Sequence, residues 1–171
     1  MTENQQPVVG IVMGSDTDLP VMTETAVMLK KFGVPFEIEI TSAHRSPART
    51  SEYARTAVTR GLKVIIVGAG GASHLAGVIA AETTLPVIGV PMATTTLAGL
   101  DALLSTVQMP SGVPVACTAI GKPGAINAAI YAVEIIAVAD PELTRKLAEY
   151  KDQLARSVAE KSEKVKREFQ V

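Results

Sequence analysis

A chain of 171 residues, 47% apolar and 19% charged, holds enough material for one packed domain, 1–171, and excludes a disordered polymer. Its net charge of −1 argues against nucleic acid as the main partner, and its single cysteine excludes an intrachain disulfide. No apolar run reaches the roughly 18–20 residues that span a bilayer, and the polar start "MTENQQP" has no signal-type core, so no membrane partner and a cytoplasmic location are expected.

In chain order the pattern alternates. "PVVGIVM" is a short β-branched strand, followed by a helix from Leu19 to Phe32 that Gly33 ends. "FEIEI" alternates with period two, and Ser46-Pro47 opens a helix expected to run to about Gly61. "VIIVG" reads as a buried strand, "SHLAGVIAAET" as a short helix, "PVIGV" as the fourth strand, and Ala98–Thr106 as the next helix. "PVACTAI" is the expected fifth strand. "GAINAAIYAVEIIAVA" is a helix apolar nearly all round, expected to be buried on most sides.

Five β-α units in succession imply an α/β fold with right-handed crossovers. The expectation is a flavodoxin-like three-layer sandwich around a five-stranded parallel sheet in the order 2-1-3-4-5. That core covers about residues 8–138. Beyond it, Leu143, Leu147, Tyr150, Leu154, Val158, Val165 and Phe169 follow helical spacing, giving one long helix over about 141–169. At 1.5 Å per residue it measures ~44 Å. That exceeds the ~40 Å width of a compact domain this size, which points to a homo-oligomer.

The two ends of the sheet differ in chemistry. Helix-to-strand connections such as "GVP" and "TLP" are plain turns, whereas strand-to-helix connections hold the reactive groups. Open α/β sheets bind ligands at the carboxyl ends of their strands. In "MGSDTD", Ser15 suits a phosphate oxygen, and Asp18 suits either a helix cap or sugar hydroxyls. In "TSAHRSP", Arg45 presents a planar fork for phosphate or carboxylate, and His44 can move a proton near neutral pH. In "GAGGASHLAG", the glycines allow backbone to approach a ligand closely. His74 is expected in the ligand shell or bonded to the glycine loop. Cys117, in an apolar strand, is expected in the core. The histidines lack partners at metal-ligand spacing and no Walker A sequence is present, so neither a metal nor ATP is expected.

Taken together, "GIVMGSDTDL", "SAHRSP", "VIIVGAGGASHLAG", "LPVIGVP", "LAGLDALLSTVQMPSGVPVA" and "AIGKPGAINAA" closely resemble the bacterial N5-carboxyaminoimidazole ribonucleotide mutases. The resemblance runs from about Val8 to Ala137. It implies an isomerase of de novo purine biosynthesis that moves a carboxylate from an exocyclic nitrogen to C4 of an aminoimidazole ribonucleotide, without cofactors. It also implies His44 as general acid and base. Ser15, Asp18, Ser42, Arg45, Gly70, Gly71, Ser73, His74 and Leu75 would form the substrate pocket, with the "MATTT" and "QMPSG" loops helping to close it. The family is an octamer. Leu19, Ser73 and Ala76 depart from its usual Trp, Ala and Pro. Two rivals remain: a carboxylase using CO2 directly, and a flavodoxin-like nucleotide-binding module without catalysis.

Overall fold

The computed structural model describes residues 6–170, so the polar start falls largely outside it. Two compact units are distinguished, one up to Ile135 and one from Ile136 onward.

The first unit holds a five-stranded, all-parallel sheet in the order β2-β1-β3-β4-β5. Its strands are β1 (Val9–Met13), β2 (Phe36–Ile40), β3 (Val64–Gly70), β4 (Val87–Met92) and β5 (Ala116–Cys117). Between them lie α1 (Leu19–Phe32), α2 (Pro47–Thr56), α3 (Leu75–Glu82) and α4 (Leu100–Val107), and α5 (Lys122–Ala137) follows β5. This is the flavodoxin-like architecture expected. The central strands β1, β3 and β4 are buried almost throughout, which explains why they read as continuous apolar runs.

Period-two geometry sends alternate strand residues to opposite faces. Val12, Ile65, Val67 and Ala69 pack with Tyr53 and Ala54 of α2, with Ala57 just after it, and with Leu75, Ala76 and Ile79 of α3. Gly68, on the other face, abuts Met22 of α1, and Thr25 of α1 donates to the Ala125 carbonyl of α5 at 2.9 Å. Gly33 ends α1 at φ 75°, accepting the left-handed conformation that the C-cap requires.

Four expectations need correction. The helix α2 stops at Thr56, because Arg60, Gly61 and Leu62 turn their N–H groups back to Thr56, Val58 and Ala57. β5 has only two residues: Pro114 brings no N–H, and Thr118 and Gly121 bond β4 outside a regular ladder. Cys117 is therefore half-buried rather than core. The helix α5 buries one stripe, Ala125, Ala128, Ala129, Ala132 and Val133, while Tyr131 on another side is exposed. Its apolar composition exceeds what a single chain covers.

The second unit contains α6 (Pro141–Phe169), a 29-residue helix. The Asp140 carboxylate caps it by accepting from the N–H groups of Glu142 and Leu143. Arg145 pairs with Glu142 and Glu149 one turn to either side. Leu154, Val158, Val165 and Phe169 are exposed. Among the described residues no helix is long and apolar enough to cross a membrane.

Candidate active site at the carboxyl edge of the sheet

Parallel strands that all end on one side bring their following loops together, whatever their separation in sequence. The loops after β1, β2, β3 and β4 surround one cavity of about 220 Å³. Gly14, Ser15, Thr17 and Asp18 come from the first, Ser42 to Arg45 from the second, Gly70 and Ser73 to Leu75 from the third, and Thr94 from the fourth.

Hydroxyls shape the loop that carries His44. Ser42 Oγ accepts from the Arg45 N–H at 3.2 Å, closing a turn around His44. Ser46 Oγ accepts from the Ser42 N–H at 3.0 Å, and Thr41 links Ser46 to the buried Thr50. Backbone polar groups are thus satisfied where a strand ladder has ended. From this turn Arg45 donates through Nη2 to the Gly14 carbonyl at 3.0 Å, joining the second loop to the first. The rest of its fork remains for an anion.

The glycine loop carries His74 to His44. His44 Nε2 and His74 Nδ1 stand 2.6 Å apart, with ring centroids at 4.8 Å and planes at 76°. One proton lies between these nitrogens, so one ring donates and the other presents a bare nitrogen. A doubly protonated pair does not fit the contact. A cationic His44 does fit: its Nε2–H donates to His74, and a second N–H remains on Nδ1.

The first loop supplies a hydroxyl and a buried acid. Ser15 caps the single 3-10 turn Asp16–Asp18, accepting from the Thr17 N–H at 3.3 Å and donating to Asp16 at 3.1 Å. Asp18 precedes α1 but makes no side-chain cap bond. Only 5% of it is exposed. Burial pushes its carboxyl above the usual carboxylate range, against the opposing pull of the Ser15 and Gly14 backbone, and nearby Asp16 pushes it further up. A buried acid that is not capping is available to ligand hydroxyls.

Of the residues singled out from sequence, His44, Ser15, Asp18, Ser42, Arg45, Gly70, Ser73, His74 and Leu75 border the cavity, and Gly71 does not. The Ser73 hydroxyl faces inward, toward Ala69 and Thr106. Thr94 represents the "MATTT" loop, whereas no residue of "QMPSG" lines the cavity. Thr17 was missed, although it sits inside the quoted "GSDTD". Among the described residues no three His, Cys, Asp or Glu side chains cluster as a metal site.

Fold and cavity together define a doubly wound α/β protein with a polar, acid–base-capable pocket at the carboxyl edge of a parallel sheet. The chain belongs to the AIR carboxylase family, which it matches over residues 8–157. It is 55% identical over 163 residues to the N5-carboxyaminoimidazole ribonucleotide mutase of Pyrococcus horikoshii, covering 95% of this chain and 91% of that one. The protein of the same name from Thermotoga maritima is 55% identical over 159 residues, covering 93% and 92%. The crystal structure of Treponema denticola PurE superposes with a TM-score of 0.84 at 29% identity, covering 94% of this chain and 99% of its own.

Proposed function

We propose that this chain is an isomerase of purine biosynthesis, converting N5-carboxyaminoimidazole ribonucleotide to 4-carboxy-5-aminoimidazole ribonucleotide. The observation that carries the proposal is the imidazole pair. His44 and His74 meet in one cavity with an anion-ready guanidinium, Arg45, and a serine hydroxyl, Ser15. Relatives at 55% identity that bear the mutase name supply the substrate.

In this reading Ser15 and Arg45 take the phosphate, and Asp18 accepts from ribose hydroxyls. Ser42 and the Gly70 backbone line the pocket, with Leu75 against the ring. The substrate carbamate loses CO2 when its nitrogen gains a proton, and cationic His44 supplies that proton. The ring's electron-rich C4 then attacks CO2, forming the new C–C bond. The C4 proton leaves to neutral His44, which returns to its starting form. His74 accepts a hydrogen bond from His44 in its cationic state and so helps hold the ring in place. No cofactor enters this scheme. The chain works as one domain, in the cytoplasm, as a homo-octamer. The apolar α4 face, the uncovered side of α5 and the exposed stripe of α6 support assembly.

The test is a comparison of substrates. Purified protein should turn over the N-carboxylated ribonucleotide and should convert aminoimidazole ribonucleotide with bicarbonate far more slowly at low substrate. The reverse preference would favour the direct carboxylase. His44→Asn should still bind ribonucleotide by calorimetry but lose at least about 10³-fold in kcat, since acid–base steps typically contribute 10²–10⁴-fold and here one ring performs two. Near-normal turnover in this variant would remove His44 from the chemistry and favour a binding module.

A further inference from the structure

Ser73 is a strained residue that turns its hydroxyl away from the cavity it borders. Its φ of 49° lies in the left-handed region, which a non-glycine residue holds only where its surroundings compel it. It is 4% exposed and directly precedes His74. Its side chain meets Thr106 of α4, 33 residues on, at 3.1 Å.

Thr106 Oγ1 donates to the Ala102 carbonyl, one turn back in α4, at 2.7 Å. It then has only lone pairs to offer, so Ser73 donates to it, sharing its proton with the Ala69 carbonyl at 3.3 Å. A chain of hydroxyls therefore runs from the glycine loop into the body of α4. Thr106 is 1% exposed, and its methyl is seated against β4 where Gly89 leaves no room for a Cβ. The far end of the tether is held on both sides.

We propose that Thr106 is a positioning residue. Through Ser73 it sets the glycine-loop backbone that aims His74 Nδ1 at His44 Nε2. This rests on the mutase reading above for its kinetic consequence, though not for its structural one. The phosphate and ribose contacts come from the loops after β1 and β2, so loss of the tether should fall on kcat rather than KM.

Thr106→Val keeps the shape and the methyl against Gly89 but deletes the hydroxyl. It is expected to lower kcat about 10- to 100-fold, the scale of a sub-ångström to 1 Å misplacement, while KM changes less than about twofold. The pH dependence of kcat should shift, and Thr106→Ser should restore both. Because the chain has only two histidines, 15N resonances of the imidazoles report the pair directly. In Thr106→Val the signal of the His44–His74 hydrogen bond should be lost or weakened. The family's usual Ala at this position has no hydroxyl, so the tether is particular to this chain, whose α3 also has Ala76 in place of the usual Pro; here Ser73→Ala should reproduce the effect and carries the test if Thr106→Val does not fold.

A variant that loses thermal stability but keeps the parent's kcat, pH profile and imidazole resonances would overturn the proposal. Should the parent protein fail to act on the N-carboxylated ribonucleotide, the functional reading fails alone. The imidazole resonances of the variants then decide the tether.

Discussion

Asp18 lines the cavity in surroundings that disfavour its charge. Its pKa is raised by burial, so the folded protein holds this proton more tightly than the unfolded chain does. Its contribution to stability is therefore most favourable below the ordinary carboxylate pKa of 3.8 and is lost as pH rises through the folded value. Once the group ionises, its buried charge opposes folding. Asp18→Asn is expected to raise Tm at pH 7, with the gain shrinking as pH falls toward 4, while ribonucleotide affinity falls. Thermal scans across that range, with calorimetry on the same samples, check both. A lower Tm at pH 7 would mean that hydrogen bonds from the backbone outweigh desolvation. A residue that costs stability is what selection for the proposed ribose contact would leave behind.

At the level of elements, close approach between strand and helix depends on glycine. A Cβ on Gly10 of β1 would overlap the Tyr53 hydroxyl of α2 and stand 3.2 Å from Leu62. That hydroxyl is buried with no partner at hydrogen-bonding geometry, and burial, with the Glu37 carboxylate nearby, holds its pKa above the usual tyrosine value. Arg60 lies over the ring face, 4.5 Å from its centroid. Gly10→Ala should cost about 1–3 kcal/mol by overpacking. Tyr53→Phe alone should be near neutral, because it removes an unsatisfied polar atom. In combination, Tyr53→Phe should recover much of the loss. Urea melts of the four proteins check this, and simple additivity would refute the proposed clash. The order and kind of these elements are readable from periodicity and punctuation, as Gly33 and Ser46-Pro47 illustrate. Their lengths are less so. The Gly61 turn closes on the carbonyls of its own preceding residues, and the two-residue β5 depends on where β4 offers hydrogen-bond partners; composition reveals neither.

At the level of the whole molecule, the exposed apolar residues are too regular to be incidental. Leu97, Leu100, Leu104 and Val107 are 58%, 50%, 49% and 48% exposed and recur at helical spacing along α4 and the turn before it. If the octamer proposed above forms, Leu100→Glu with Leu104→Glu should lower the mass found by light scattering while leaving the far-UV circular dichroism unchanged. A parent protein of single-chain mass would overturn the octamer.

The local sequence determined the alternation of strands and helices, the long terminal helix, and the gathering of polar chemistry after the strands, because hydrophobic period and turn residues act over a few neighbours. It also singled out His44, Arg45, Ser15 and Asp18. The tertiary structure alone decided that His74 bonds His44 across 30 residues, that Arg45 reaches Gly14 across 31, and that Ser73 turns away from the cavity to Thr106. Those contacts depend on which strands lie side by side. The strand order itself is expected from the succession of β-α units; the exact loop conformations that make these contacts follow from packing of the whole sheet, a property no single segment carries.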